Sequence, residues 1–578
     1  MRTSNRYPRR IPRAISIAGL ALLAAALAPA ATGAEETGSN VSATKHNLTS
    51  GGPGPIRVAG AKDVCKFCHT PHSSNPIGPL WNRTDPGTYY QTYTSTTLVA
   101  QIGQPSGSSR LCLSCHDGTI ALTQTYNPNN APTGSIYITP QDTGYLGTDL
   151  SDDHPISFAY DAGLAARAGE LLNPGSLPKA LKLDYNGQLQ CTTCHDPHSN
   201  TYGKFLTMSN DESMMCQTCH IISNWPASSH ATSSKSIAGA AKDKWTNLAA
   251  GTVRQAACEA CHRPHTAGGR QRLLRHEAEE DNCLNCHDGT VAAKNIAADL
   301  DRISRHNVRE FTGIHDPKED PSIMRRHVEC ADCHNAHQAR AGHTAVPPFV
   351  QPTMTGATGT TADGDIVKPA TYEYQVCYKC HGSGGTVRAP LVDRVIINTN
   401  VAEEFSPSNY SFHPVETQGK NSSVPSLLLP WRTTSLMYCT DCHSSSDTNG
   451  PRGPHGSAYT PLLVRNYATA DLTVEGPDAY ALCYGCHNRS AIISETGTFK
   501  YHKKHVSEKR TPCSACHDSH GISSTQSTPT SNTHLINFDR TIALPLGTVG
   551  PTYTDSGNQR GSCTLKCHNK EHNNLKYP

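Results

Sequence analysis

Eleven times in this chain two cysteines stand three apart with a histidine directly behind the second, and no other feature restricts its fold so tightly. The first cysteines are Cys65, Cys112, Cys191, Cys216, Cys258, Cys283, Cys330, Cys377, Cys439, Cys483 and Cys513. Their partners are Cys68, Cys115, Cys194, Cys219, Cys261, Cys286, Cys333, Cys380, Cys442, Cys486 and Cys516. The histidines that follow are His69, His116, His195, His220, His262, His287, His334, His381, His443, His487 and His517. A twelfth copy, Cys563, Cys567 and His568, has one residue more between its cysteines, and with it all 24 cysteines are used.

The spacing has a chemical reason. Two thiols three apart lie on one side of a helical turn, where each can add to one vinyl group of a haem, and the adjoining histidine falls beneath the iron. Zinc also takes Cys-x-x-Cys, but it needs two such pairs per metal and has no use for a histidine after every second cysteine. Disulfides would be the ordinary fate of an even cysteine count in an exported chain, and they too leave the histidines unexplained. The pattern predicts haem c in twelve copies, covalently attached. In the twelfth, cysteines four apart still share one helical face.

Residues 1–34 read as an export signal, with a basic head at Arg2, Arg6, Arg9, Arg10 and Arg13, an apolar run from Ala14 to Leu27, and small residues up to Ala34. No later stretch reaches the ~20 consecutive apolar residues of a membrane span. Export removes five positive charges from the 50 Lys and Arg and leaves 45 against 48 Asp and Glu, a balance of −3. Such a balance gives no support to a nucleic-acid partner.

Composition then sets the fold class. With 36% hydrophobic residues, 9 Phe, 4 Trp and 7 Met in 578, side chains alone cannot fill the interior, so haems are expected to form the core. The expected fold is mostly irregular coil with short helices, an array of six paired units, each site one helical turn. A longer helix is expected at Ala162 to Leu172, capped by Asp161 and stopped before Pro174. Val346 to Pro369, rich in Gly, Thr and Pro, reads as a loop. The chain divides into 35–225 with haems one to four, 226–425 with five to eight, and 426–578 with nine to twelve.

A second order runs through the sites. An extra histidine three places on gives CHTPH at His69, CHDPH at His195, CHRPH at His262, CHNAH at His334 and CHDSH at His517. These alternate with sites lacking it, so the repeat is a pair, starting at Cys65, Cys191, Cys258, Cys330, Cys439 and Cys513. Partner sites echo one another: CLSCHDGT from Cys112 and CLNCHDGT from Cys283 differ at one position. The fifth pair departs, reading CHSSSD after Cys442, and His455 in GPHGS is the substitute for its extra histidine.

On these motifs, from KHNLTS at Lys45 through CKFCHTPH and HPISF at His154 to HLINFD at His534 and CTLKCHNKEH at Cys563, the chain resembles multihaem c-type cytochromes with doubled CXXCH motifs. The resemblance implies irons held by histidine on both sides and haems close enough for electrons to hop. Twelve of 31 histidines adjoin a motif and twelve more are then needed. A histidine three places after its motif cannot easily reach the far face of its own iron and should serve a neighbour: His72, His198, His265, His337 and His520, with His455 as the sixth. The other six should precede each pair: His46, His154, His230, His306, His413 and His505. His502, His315 and His327 compete for two of those places, and His534 and His572 are alternatives at the last haem. The methionines, Met208, Met214, Met215, Met324 and Met437 among them, read as gap-fillers, and Trp81, Trp225, Trp245 and Trp431 as packing.

The reading is an electron carrier, a twelve-haem wire in the periplasm or at the cell surface, serving anaerobic or extracellular respiration. Its partners are redox proteins as donor and acceptor, with an outer-membrane pore complex, a filament of itself or an extracellular acceptor as further options. The alternative is a multihaem reductase of nitrite, hydroxylamine or a sulfur oxyanion with one open iron, for which the ninth and twelfth sites are the places. No phosphate loop, dinucleotide fingerprint or hydrolase elbow is present.

Overall fold

The computed structural model describes residues 40–129, 131–237, 251–320, 323, 327–383, 390–494, 499–558 and 560–577. The expected export signal, Trp245 and Met324 lie outside the described residues. Coil dominates, interrupted by short helices, four two-stranded sheets and one three-stranded sheet. Among the described residues, buried apolar side chains form seven separate clusters, the largest holding five residues, such as Phe158, Tyr160, Leu164, Ala165 and Leu189. A cluster of that size cannot hold a chain of this length together, so the interior is organised around something besides side chains. Among the described residues no helix is long and apolar enough to cross a membrane.

The two motifs of a pair sit in different local structures. First motifs occupy single turns, Cys65–Phe67, Cys191–Cys194, Ala257–Ala260, Cys330–Cys333, Cys439–Cys442 and Cys513–Ala515. Three second motifs end longer helices instead, Gly107–His116, Glu279–His287 and Glu373–His381. Glu279, Glu280 and Asp281 lie in the first turn of one of them, where the helix dipole favours negative charge. The repeated Asp-Gly-Thr behind two of these helices is a stop signal: the Asp117 carboxylate accepts from Thr119 N at 2.8 Å and Asp288 from Thr290 N at 2.9 Å. Gly118 (φ +75°) and Gly289 (φ +92°) turn the chain left-handed between them, and a Cβ at Gly118 would lie 2.7 Å from the Ile138 carbonyl.

Three local expectations need correcting. The helix expected at Ala162 to Leu172 ends at Ala168, because Gly169 takes φ +75° and caps it; its start at the Asp161 side chain, which accepts from Leu164 N, is as expected. The longest helices are those carrying motifs. The stretch Val346 to Pro369 folds a small hairpin, Gly359–Thr360 against Ile366–Val367, rather than a plain loop. The twelfth motif lies on no helix: Cys563 and Cys567 belong to the strand Arg560–Cys567, the centre of a sheet with Thr552–Gly557 and Lys570–Tyr577 on either side. Alternation still puts Cys563, Leu565 and Cys567 on one face, where Leu565 packs with Tyr553, Phe538 and Ala543.

Candidate functional site: a line of facing imidazoles

The motifs surround one continuous cavity of 5770 Å³, lined from Val41 to His520 and including every cysteine and histidine of the first nine motifs. Ordinary small-molecule pockets hold about 300–1,000 Å³. Across this interior the imidazoles stand in twos. His69 faces His198 with ring centroids 6.2 Å apart, His116 faces His46 at 6.2 Å, His195 faces His265 at 6.1 Å, and His220 faces His154 at 6.4 Å. His262 faces His337 at 6.1 Å, His287 faces His230 at 6.1 Å, His334 faces His455 at 6.1 Å, and His381 faces His306 at 6.2 Å. His443 faces His520 at 6.0 Å and His517 faces His502 at 6.3 Å. For the tenth motif, His487 is pushed down to about 4 by burial first and by the neighbouring His413 imidazole second.

That recurring separation fits a metal between two rings. Two metal–nitrogen bonds of about 2.0 Å and two ring radii of about 1.1 Å place the centroids about 6.2 Å apart, the value that recurs here. The tautomers suit it as well. In eleven of these histidines Nδ1 donates to a backbone carbonyl, as His116 does to Gly144 at 2.7 Å and His262 to Arg272 at 2.8 Å. Nε2 is then left unprotonated as the free ligand atom. Burial drives the rings the same way, pushing His46, His195, His220, His287, His337 and His443 down to about 4 from an ordinary 6.5, so they are neutral and metal-ready. Two differ: burial would lower His265 and His520, but the Asp153 carboxylate at 3.0 Å and the Glu404 carboxylate at 2.7 Å outweigh it and raise both.

The pairing follows a rule. The first motif of each unit faces the histidine three places after the first motif of the next unit: His69 with His198, His195 with His265, His262 with His337, and His443 with His520. His455 fills that place for His334, as expected of the substitute in the fifth pair. The second motifs of the first four units face the histidine upstream of their own unit: His116 faces His46, His220 faces His154, His287 faces His230, and His381 faces His306. Neighbouring units also bring their sulfurs close together: Cys112 lies beside Cys191, Cys216 beside Cys258, Cys283 beside Cys330, and Cys377 beside Cys439.

One histidine departs from the expected set. His72 of the unit at Cys65 faces no motif imidazole among the described residues and is exposed, its carbonyl accepting from Thr70 and Asn127. In the unit at Cys513, His502 from just ahead of the motif stands opposite His517. The final motif departs further. His568 turns off the face that carries Cys563 and Cys567, at φ +46°, and donates Nε2 to Asp471 at 2.9 Å. His572 lies opposite Leu565, the residue midway between the two cysteines, and faces His505 at 6.2 Å.

Sequence reasoning missed what steers the motif imidazoles. The carbonyls that receive Nδ1 of His195, His262 and His517 belong to Lys204, Arg272 and His534, each left-handed and each followed by a left-handed Phe205, Leu273 or Leu535. Non-glycine residues rarely adopt that conformation, so the strain is localised where a ligand is aimed. The signal in the sequence is a bulky apolar residue pair some way after each first motif, Phe205-Leu206, Leu273-Leu274 and Leu535-Ile536. Arg83, fully buried, was missed too: it donates to Ser114 Oγ and to the carbonyls of Ser114, Ala121, Leu122 and Gln124, fastening the end of the second motif's helix.

Cysteines placed for thioethers, facing neutral imidazoles and an interior short of side chains define a protein built on covalent haem. Residues 365–530 match the family described as outer membrane cytochrome MtrC/MtrF-like, domains II/IV, and residues 185–221 and 251–292 match the doubled CXXCH motif. These spans take in eight of the twelve motifs, the second, third and fifth pairs complete. No curated protein matches the chain. The chain is a multihaem c-type cytochrome.

Proposed function

We propose that this cytochrome carries twelve haems c, each iron between two histidines, and moves electrons along them as a wire. The observation that carries this reading is the recurrence of one ring separation, 6.0–6.4 Å, at site after site. Haem iron, when bound, supplies one-electron exchange between its ferric and ferrous states. The chain's own residues anchor, orient and keep neutral the ligands: His69, His116, His195, His220, His262, His287, His334, His381, His443, His487 and His517 on the motif side. Facing them are His198, His46, His265, His154, His337, His230, His455, His306, His520, His413 and His502. At the twelfth site we assign His572, with His505 opposite, in place of His568, whose metal-capable nitrogen is engaged by Asp471.

With no iron left open by this assignment, the protein is a carrier rather than a reductase. The match to outer membrane cytochromes supports an exported, surface-associated location, with redox proteins as donor and acceptor and an outer-membrane complex or an extracellular acceptor at the far end. Intact mass and electron paramagnetic resonance of the oxidised holoprotein test the reading together. Twelve haem masses and only low-spin iron are expected. A fully loaded protein with one high-spin iron in twelve would sink the closed-coordination wire, and a mass short of twelve haems would sink the count.

A further inference from the structure

His315 and His327 face no motif imidazole and converge instead on a buried knot of acids. His315 Nδ1 lies 3.1 Å from Glu319 Oε1 and 3.6 Å from Asp332 Oδ1, and His327 Nε2 lies 3.3 Å from Glu319 Oε2. We propose that His315, Glu319, His327 and Asp332 bind one divalent transition-metal ion, Zn²⁺ being the best match, at a site separate from every haem iron.

Geometry carries this first. One ligand atom from each of the four side chains lies within 4.8 Å of all the others. Four ligands on arms of about 2.1 Å form a tetrahedron with edges of about 3.4 Å, and the three separations above straddle that value. At 3.1 Å His315 Nδ1 and Glu319 Oε1 are close enough to hydrogen-bond, yet neither atom makes a hydrogen bond. The two atoms are close without being hydrogen-bonded to each other, as two ligands of one ion are. Imidazole nitrogen with carboxylate oxygen is the donor set of zinc and its neighbours, whereas calcium and magnesium take oxygen alone.

Charge carries it independently. Glu329 sits 3.7 Å from both imidazoles, its side chain is 3% exposed, and neither of its oxygens has a hydrogen-bond partner. With Glu319 and Asp332 it makes three carboxylates, answered among the described residues by Lys379, which contacts Asp332, and by Arg272, whose charge reaches Glu329. Glu279 adds a fourth acid on the far side, committed to His315 N at 2.9 Å and Ala331 N at 2.8 Å. Burying such an excess of one sign is costly unless a cation compensates it, and a dication would.

The position gives the ion a role. Asp332 lies between the cysteines of the seventh motif and Lys379 between those of the eighth. An ion here clips His315, Glu319 and His327 onto both anchors and sets a positive charge beside two neighbouring haems, which makes each easier to reduce.

The test uses the holoprotein. Purified cytochrome is stripped with a chelator, exposed to Zn²⁺, desalted and analysed for zinc and iron by mass spectrometry, beside a Glu319→Gln, His327→Gln variant. One zinc per twelve iron is expected in the native protein, with at least a tenfold weaker hold in the variant. Unchanged haem absorbance and an all-low-spin spectrum in the variant show that the loss is local. Native protein that retains no zinc, or a variant that retains it equally, overturns the proposal. So does high-spin iron in the variant, which would make His327 a haem ligand. If the variant fails to accumulate, calorimetric titration of the stripped native protein with Zn²⁺ decides, and absence of one-to-one binding overturns the site.

Discussion

Replacing His572 by alanine should open one iron in twelve, and replacing His568 should open none. The expectation rests on three measurements at the C-terminal sheet: His572 is in register with Leu565 between the two cysteines, its ring is 6.2 Å from that of His505, and His568 Nε2 is 2.9 Å from Asp471. The strand ends at Cys567, and His568 begins the turn at φ +46°, which carries its imidazole to Asp471 and off the surface that holds Cys563 and Cys567. A haem tethered to those sulfurs meets the imidazole across the ladder, not the one beside its anchor. The assay is paramagnetic resonance of the oxidised holoprotein, with integrated high-spin intensity compared with total haem. His572→Ala should place one-twelfth of the iron in the high-spin signal, as His198→Ala should at the first site, whereas His568→Ala should keep the native low-spin spectrum with twelve haem masses. High-spin iron on losing His568, together with none on losing His572, would falsify the assignment and restore the adjacent histidine as ligand.

Asp153→Asn should raise the potential of the third haem by roughly 60 mV, the shift for a tenfold change in relative ligand affinity, because the carboxylate at 3.0 Å makes His265 a more basic ligand; spectroelectrochemistry reads it. Arg83→Met should destabilise the holoprotein by roughly 3 kcal/mol, since it leaves several buried carbonyls and one hydroxyl without their donor, measured from the denaturant midpoint. Burial pushes the Glu373 carboxyl up to about 7 from an ordinary 4.5, so the fold keeps a proton that the unfolded chain releases. Its contribution is complete below pH 4.5 and is lost as pH rises through about 7, and Glu373→Gln should flatten that part of the stability profile. Chain made without haem attachment should be unfolded and proteolysed, because its apolar clusters are too small to offset conformational entropy; cooperative thermal unfolding of such material would refute this.

Much of the site is legible in the sequence because covalent attachment demands a fixed spacing, and His154, His265 and His455 stand where counting histidines around the motifs puts them. What the sequence conceals is which of two like histidines is used. Nothing in CHTPH and CHDPH distinguishes His72, which is exposed, from His198, which faces His69. Cysteines four apart share a face in a helix and in a strand alike, so the spacing of Cys563 and Cys567 could not choose between the two, nor between His568 and His572. Gly169 was in view, but a helix pattern running on to Leu172 hid its role as the cap. Lys204, Arg272 and His534 act through their carbonyls, which side-chain chemistry does not announce.

On the ligation proposed here, the first iron of each unit waits for a histidine that belongs to the next. His69 is partnered by His198, His195 by His265, His262 by His337, His334 by His455, and His443 by His520. A chain delivered from its N-terminus therefore matures one unit behind its own arrival, each newly loaded pair trailing a half-coordinated iron until more polypeptide follows. Only the last unit escapes, through its local His502. Such a molecule has an order of completion written into it. A break anywhere along the line leaves the iron upstream of the cut unfinished, however many haems have been attached.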